Sequence, residues 1–271
     1  MLTERDDRAE ARPSRLLPGL AGLLRGELSR WLGRRGVLNL VVWSALVQGL
    51  LLWNTLGDDS NPLRDWRGFD TLIHLWWIFL PLAAIAFSQN AIIEERHQDT
   101  APWVLSKPVS RSAFVLAKIF GDLIGLFVVA ILLQGAAAYV WLPKVNPAQG
   151  LPILRPELIR FVAVMGIETL ILAFFIVLSV MLSTVFRRRG PVAAIGLVWW
   201  VVVWQSPGRV ISDFTFGGLI AGDFEGSGFK ALTEYLVFEQ PLDSVSAVSG
   251  TAVLVVALTA AATLIFRREQ F

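Results

Sequence analysis

The chain has 271 residues, of which 55% are hydrophobic and 17% are charged, and its formal net charge is +2. This composition excludes an ordinary soluble domain, in which about a quarter of the residues are charged, and so small a net charge gives no reason to expect nucleic acid as a partner. The absence of cysteine excludes disulfides and thiolate metal sites. The composition predicts an all-α polytopic protein in contact with membrane lipid.

The N-terminal part of the sequence divides into a tail and an amphipathic segment. Residues 1–15 mix acidic and basic side chains, and we expect them to form a disordered tail before a single transmembrane domain over residues 16–271. Residues 20–32 repeat leucine and tryptophan at helical spacing, with arginine and serine on another face. This pattern favours a helix in the plane of the membrane surface; a helix packed on its own domain is the alternative.

Six apolar segments are long enough to be membrane spans, since about 20 residues cross a hydrocarbon core roughly 30 Å thick. They lie near residues 37–56, 71–93, 112–142, 158–185, 190–206 and 246–266. The third and fourth are longer than a span requires, so we expect them to tilt or to extend beyond the bilayer. Residues 187–191 leave almost no connection before the fifth segment, which predicts a tight turn at the membrane surface.

Lysine and arginine are distributed unequally between the two sides of this arrangement. Seventeen of the 24 lie on the side that holds both chain ends, the connection around 93–118 and the turn at 187–189, and seven lie on the other side. Because basic residues accumulate in cytoplasmic loops, both termini and residues 90–111 are expected in the cytoplasm.

The outer segment, residues 207–245, differs from the other connections. It contains six acidic residues against two basic ones, together with apolar stretches that are too short to span. Short re-entrant or surface helices that cap the outer side fit this pattern best. A loosely ordered loop is the alternative.

Enzyme signatures are missing from the sequence. There is no H-E-x-x-H zinc motif, no G-x-S-x-G nucleophile motif and no G-x-x-x-x-G-K-[ST] phosphate loop. The chain is therefore predicted not to be an enzyme, to hold no metal and to bind no nucleotide through a phosphate loop.

Polar side chains at membrane depth are costly and often functional. Glu168, about ten residues into the fourth segment, fits either a protonatable transport residue or a hydrogen-bonding partner of another helix. Asp122 follows Lys118 by four residues, a spacing that favours an ion pair along one helix; together with Glu168 it is also a candidate for the transport pathway. Gln48 and Gln134 are expected to bond between helices.

The charged segment between the second and third spans divides at its prolines. We expect the second span to continue as a helix through residues 93–96. Asp99 or Thr100 can cap a new short helix, and Pro108 ends it because proline disfavours helical geometry at the residue before it. Ser110 is expected to cap the third span.

The short helix predicted over residues 100–107 is too short to be stable alone, since isolated helices below about 12–15 residues are marginal in water. It places the apolar side chains of Trp103, Val104 and Leu105 beside charged residues on the cytoplasmic side. Such a helix must pack either under its own membrane domain or in a groove on a partner protein.

The same segment resembles the cytoplasmic loop of bacterial type-2 ABC transporter permeases. The resemblance rests on Ile93-Glu94-Glu95-Arg96, Thr100, Leu105-Ser106-Lys107-Pro108-Val109-Ser110-Arg111 and Lys118. The N-terminal Glu27-Leu28-x-Arg30 sequence, the six spans and the basic C-terminal end agree with it. Asp99 stands where that family usually has glycine before the threonine.

The resemblance implies a permease subunit of an ABC exporter, in the bacterial inner membrane, that works as a pair with a second copy or a relative. Two separate ATP-binding cassette ATPase subunits would bind ATP and Mg²⁺ on the cytoplasmic face, and this chain would bind no cofactor. The helix over 100–107 would dock in a cleft of the ATPase. The residues implied in this coupling are Glu94, Glu95, Arg96, Thr100, Trp103, Val104, Leu105, Lys107, Pro108 and Arg111.

Two other classes of function stay open at this point. A secondary transporter or channel that needs no partner would use Glu168 as its proton or ion site. An intramembrane enzyme is disfavoured by the missing motifs. For a transporter, the small number of charged residues within the spans favours an amphiphilic substrate.

Overall fold

The computed structural model describes residues 17–56, 67–97, 109–141, 157–205, 236 and 246–268. Within these residues every regular element is helical and no strand occurs. The helices are α1 (Leu20–Leu32), α2 (Arg34–Leu56), α3 (Arg67–Ser88), α4 (Ile93–His97), α5 (Arg111–Leu126), α6 (Leu133–Trp141), α7 (Leu158–Val185), α8 (Arg189–Gln205) and α9 (Ser246–Arg268). The predicted all-α class is confirmed for this part of the chain.

Five of the described segments are long and apolar enough to cross a membrane. They are Gly36–Trp53, Thr71–His97, Arg111–Trp141, Leu158–Val185 and Val248–Arg268. Five of the predicted spans are thereby confirmed as helices long and apolar enough to cross a membrane, close to their predicted positions. Helix α8 lies where the remaining span was expected, but its apolar part, Arg189–Val201, is shorter, so a sixth crossing stays a prediction.

Some predictions from the sequence concern residues outside the described part. These are the tail over residues 1–15, the outer segment 207–245 apart from Leu236, and the short helix over 100–107. They stay predictions, and the fold is built from the helices on either side of them.

Helix α7 is the centre of the described bundle. It is apolar around most of its circumference, as a helix enclosed by others must be, and it packs against α3, α5, α8 and α9. Its Phe161, Phe174 and Phe175 are each at most 2% exposed. Phe161 stacks on Trp76 of α3, with ring centroids 6.3 Å apart. The outer helices α2 and α9, in contrast, keep apolar faces exposed, as contact with lipid requires.

A π-helical turn, Phe127–Leu132, joins α5 to α6. Trp76 Nε1 donates a hydrogen bond to the Ala130 carbonyl at 2.9 Å, and Gln134 Nε2 donates one to the Val129 carbonyl at 3.1 Å. In the membrane, backbone groups that leave the regular helical pattern must be satisfied by the protein itself. These two side chains therefore stabilise an irregular turn within the third span.

Gln134 also belongs to a hydrogen-bond network between α2 and α6. Its Nε2 donates to Ser44 Oγ at 3.0 Å, and Gln48 Nε2 donates to Gln134 Oε1 at 3.1 Å. Trp141 Nε1 donates to Gln48 Oε1 at 2.7 Å. The prediction that Gln48 and Gln134 bond between helices is confirmed.

The connection between the second and third spans departs in part from the prediction. Helix α3 ends at Ser88, residues 89–92 form a turn, and the helix resumes as α4. Residues 93–96 are helical as predicted, but they do not continue the second span without a break. At the other end of the connection Ser110 Oγ accepts a hydrogen bond from the Ala113 amide at 3.0 Å, which confirms the predicted cap.

Candidate functional site

Charged side chains from three helices meet where the connection over residues 98–108 begins. We call them the ionic cluster: Glu27 and Arg30 of α1, Glu95 of α4, and Lys118 and Asp122 of α5. Helix α1 is far from α4 and α5 in the sequence, so the packing of the bundle brings the cluster together.

Lys118 is the centre of the ionic cluster. Its Nζ atom lies 2.6 Å from Glu27 Oε1 and 2.6 Å from Glu95 Oε1, and its side chain is only 4% exposed. Removing one partner from a buried ion pair costs about 3–5 kcal/mol, because the remaining charge is left without compensation. Lys118 therefore fastens both α1 and α4 to α5.

The expected ion pair between Lys118 and Asp122 is wrong. Asp122 Oδ2 instead accepts a hydrogen bond from Ser88 Oγ at 2.9 Å, and Asp122 Oδ1 lies 3.6 Å from Arg30 Nη2. An i,i+4 pair is worth only about 0.2–0.5 kcal/mol on a helix surface. The two carboxylates brought to Lys118 by α1 and α4 outweigh that local preference.

Helix α1 approaches α5 at two glycines. A Cβ atom at Gly121 would lie 2.5 Å from Glu27 Cβ, and a Cβ atom at Gly125 would overlap the indole ring of Trp31. The Trp31 ring also contacts Phe87 of α3, with centroids 5.4 Å apart. Helix α1 therefore packs on its own domain, which was the alternative for this segment; a position in the membrane surface stays a prediction.

Arg96, beside Glu95 on α4, binds the end of a different helix. Its Nη1 donates to the Ser183 carbonyl at 2.9 Å and to the Phe186 carbonyl at 3.4 Å, and its Nη2 donates to the Thr184 carbonyl at 2.9 Å. The last carbonyl groups of a helix lack partners within the helix and attract cations. Arg96 thus caps α7, so α4 is joined to the central helix of the bundle.

The other end of the connection is also fixed to the bundle. Arg111 Nη1 donates to the Arg267 carbonyl at the end of α9 at 2.9 Å. The Ser110 amide donates to the Pro18 carbonyl at 3.2 Å, just before α1 begins. Both ends of the 98–108 connection are thus held by several helices.

The residues that the resemblance implies in ATPase coupling therefore fall into two groups. Glu95, Arg96 and Arg111 bind groups of their own chain, and Glu94 is exposed on α4. The other coupling residues lie outside the described part of the chain: Thr100, Trp103, Val104, Leu105, Lys107 and Pro108. The described group forms the base of the connection, and the ATPase contact stays a prediction for both groups.

Three members of this site, Glu27, Arg30 and Ser88, were not predicted from the sequence. A signal for the packing of α1 was present, since Gly121 and Gly125 have the spacing that lets helices approach closely in membranes. Glu27 and Arg30 are three residues apart on α1, so both side chains lie on the same face of that helix. No comparable signal pointed to Ser88, whose hydroxyl acquires its role only when α3 lies beside α5.

Glu168 does not join the ionic cluster. It is fully buried on α7, and Trp77 Nε1 of α3 donates a hydrogen bond to its Oε1 atom at 2.8 Å. Its Oε2 atom is buried and has no hydrogen-bond partner among the described residues. The two candidates for the transport pathway, Asp122 and Glu168, therefore have different partners, and the structure does not bring them together.

The apolar helices of the described residues define a polytopic helical membrane protein. Residues 66–213, more than half of the chain, match the sequence model of a family described as ABC-2 family transporter protein. The chain belongs to this family, and the resemblance seen in its loop is confirmed. It is the membrane permease of an ABC transporter, a transport subunit that is not itself catalytic. A comparison with curated proteins gave no match.

Proposed function

We propose that this permease exports its substrate across the bacterial inner membrane, driven by ATP hydrolysis on separate ATPase subunits that dock on the 98–108 connection. The observation that carries this proposal is the anchoring of both ends of that connection. Glu95, Arg96 and Arg111 fix it to membrane-spanning helices at distances of 2.6, 2.9 and 2.9 Å.

The anchors provide a short route from the connection to the spans. A push on residues 98–108 is first felt by α4, which directly precedes them. From α4 the displacement passes through Glu95 to Lys118 on α5 and through Arg96 to the end of α7. Packed helices respond to such displacements by moving between discrete arrangements. The proposed coupling therefore acts on the third and fourth spans together.

The contact with the ATPase is assigned to the apolar residues Trp103, Val104 and Leu105. Exposed ion pairs are worth only about 0–1 kcal/mol each, so apolar contact is expected to dominate the affinity, with Lys107 and Glu94 adjusting the orientation. ATP and Mg²⁺ belong to the partner. Two ATPase subunits, a pair of permeases and cytoplasmic termini complete the proposed assembly.

The proposal is tested with Trp103→Ala and Leu105→Asp in the purified complex. Both variants are expected to reach the membrane in normal amounts but to lose most of the co-purified ATPase or its stimulation by the permease. Trp53→Ala is the matched control, because Trp53 is 79% exposed on α2 at the end predicted to face outward. Full ATPase binding and stimulation in Trp103→Ala and Leu105→Asp would show that the docking assignment is wrong.

A second function is favoured by one observation, the unpaired Oε2 atom of buried Glu168. In a secondary transporter or channel, that atom would bind a proton or ion without any ATPase. The test is transport in liposomes that contain only this chain and carry a pH or sodium gradient. Transport that Glu168→Gln abolishes would favour this function over the ATP-driven one.

A further inference from the structure

Glu168 and Trp77 form an isolated polar pair inside the bundle. Glu168 lies ten residues from the first residue of its span, Leu158, and Trp77 lies six residues from the first residue of its span, Thr71. At 1.5 Å per residue these are about 15 Å and about 9 Å along the two spans, or roughly a third to a half of a hydrocarbon core about 30 Å thick. The pair therefore lies in the hydrophobic interior of the membrane if both spans begin at its outer surface.

A structural role accounts for only one of the two carboxyl oxygens of Glu168. Oε1 accepts the hydrogen bond from Trp77, but Oε2 is buried with no hydrogen-bond partner. A buried polar atom left unpaired costs about 1–3 kcal/mol. The amide oxygen of glutamine would accept the Trp77 hydrogen bond equally well, so this bond does not require an acid. The unpaired oxygen indicates a ligand that is bound for part of the transport cycle.

The chemistry around Glu168 indicates which kind of ligand this is. Trp77 is half-buried, and its ring lies 5.5 Å from the ring of His74. A carboxyl group bonded to an indole suits a cation that has an apolar body, because such a cation gains from both the charge and the aromatic rings.

Other ligands fit this site less well. A divalent metal ion requires several oxygen or nitrogen ligands, and no group of three or more His, Cys, Asp or Glu that could hold a metal occurs among the described residues. An anion would be repelled by the carboxylate. The apolar surroundings also disfavour a small, strongly hydrated cation, since that cation would lose its water without compensation.

We infer that the unpaired Oε2 atom of Glu168 binds the positively charged group of an amphiphilic organic cation, against the ring of Trp77, during transport. This inference rests on the proposed function, because it names the substrate class of the same permease. The binding itself requires no ATP, so it can be measured separately from ATPase coupling.

The test uses the permease–ATPase complex in lipid nanodiscs without ATP, with radiolabelled tetraphenylphosphonium as the probe and empty nanodiscs as the background. The wild type is expected to bind the probe saturably, and tetraphenylborate, an anion of the same shape, is expected not to compete. Glu168→Gln should weaken binding about tenfold or more, a loss of about 1.4 kcal/mol or more. Glu168→Asp keeps the charge and should retain part of the affinity. Thr169→Val is the matched control: it removes a hydroxyl that donates to the Met165 carbonyl, and it should bind like the wild type.

The outcomes separate this inference from the proposed function. No saturable binding by the wild type, or equal affinity in Glu168→Gln, would overturn the inference while the co-purified ATPase and its MgATP hydrolysis remain as controls of the assembly. If no ATPase co-purifies with the wild type, the proposed function fails, whatever the probe does. Equal competition by tetraphenylborate would show an apolar site without charge selectivity and would also overturn the inference.

Discussion

Asp122 and Glu168 are both buried carboxyl groups on membrane-spanning helices, yet their surroundings differ. Asp122 has a partner at each oxygen, Ser88 at 2.9 Å and Arg30 at 3.6 Å, and both partners come from other helices. Within the described part of the chain, Glu168 has one hydrogen-bond partner, Trp77, and its other carboxyl oxygen has none. The contacts of Asp122 join three helices, which is a structural role. Glu168 keeps one carboxyl oxygen that is available to bind a ligand.

The comparison also separates two parts of the transport cycle. The ionic cluster lies beside the connection that would receive the ATPase, so its partners must stay joined while force is transmitted. The Glu168 site lies within the bundle, where a passing substrate must be bound and released. We therefore expect variants of the ionic cluster to change stability and coupling, and variants at Glu168 to change ligand binding alone.

The largest expected effect is that of Lys118→Met. This change leaves Glu27 and Glu95 close together without the cation between them, and breaking such a buried arrangement costs about 3–5 kcal/mol. The midpoint of SDS-induced unfolding in mixed micelles should fall sharply. Arg25→Met is the control, since Arg25 is exposed on α1, and its midpoint should barely change. Equal midpoints for Lys118→Met and the wild type would contradict the role given to the cluster.

An intermediate loss of unfolding free energy is expected for Asp122→Asn, and a smaller one for Glu168→Gln. Asp122→Asn removes the charge facing Arg30 and disturbs the Ser88 hydrogen bond, at a cost of about 1.5–3 kcal/mol for bonds to a charged group. Glu168→Gln keeps an acceptor for Trp77 and should change the unfolding free energy by only about 0.5 kcal/mol. The same SDS titration measures both. A larger loss for Glu168→Gln would mean that Glu168 is the structural acid and would reverse the comparison.

The smallest expected effect concerns the contact of α1 with α5. Gly125→Ala places a methyl group against the Trp31 ring, and overpacking of this kind costs about 1–3 kcal/mol when the neighbour cannot move. In the Trp31→Ala background the same Gly125→Ala change should cost less than in the wild type, because the smaller side chain leaves room. Gly166→Ala, at a glycine of α7 with open space around it, is the control. If Gly125→Ala costs as much in the Trp31→Ala background as in the wild type, Trp31 is not the obstacle.

Much of the fold follows from local sequence patterns. Five spans lie where their apolar segments predicted them, because hydropathy over about 20 residues depends on no other part of the chain. Ser110 was predictable as a helix cap for the same reason: the hydrogen bond is made to a residue three positions on. Hydrogen bonds between helices were predictable for Gln48 and Gln134, since polar side chains within spans bond to polar groups of other helices.

The site was predicted less completely because its partners are distant in sequence. The spacing of Lys118 and Asp122 suggested an ion pair, but the packing of α1 and α4 supplied stronger partners for Lys118. Glu95, Arg96 and Arg111 looked like residues facing a partner protein. In the structure all three bind groups of their own chain. These contacts depend on how the helices pack together, which the sequence alone does not show.

The central claim is that the base of the 98–108 connection moves together with the inner end of α7 when the ATPase binds ATP. The chain contains no cysteine, so spin labels can be placed at His97→Cys on α4 and at Val185→Cys, which is 53% exposed at the end of α7. A second pair, His97→Cys with Trp53→Cys, reports whether ATP produces any movement.

In the reconstituted complex, electron–electron distance measurements should give the same 97–185 distance with and without MgATP, while the 97–53 distance changes. In Arg96→Met the 97–185 distance should change on addition of MgATP, because the hydrogen bonds from Arg96 to the last carbonyl groups of α7 are lost. A 97–185 distance that changes on ATP binding in the otherwise unaltered protein, or one that stays constant in Arg96→Met, would contradict the account.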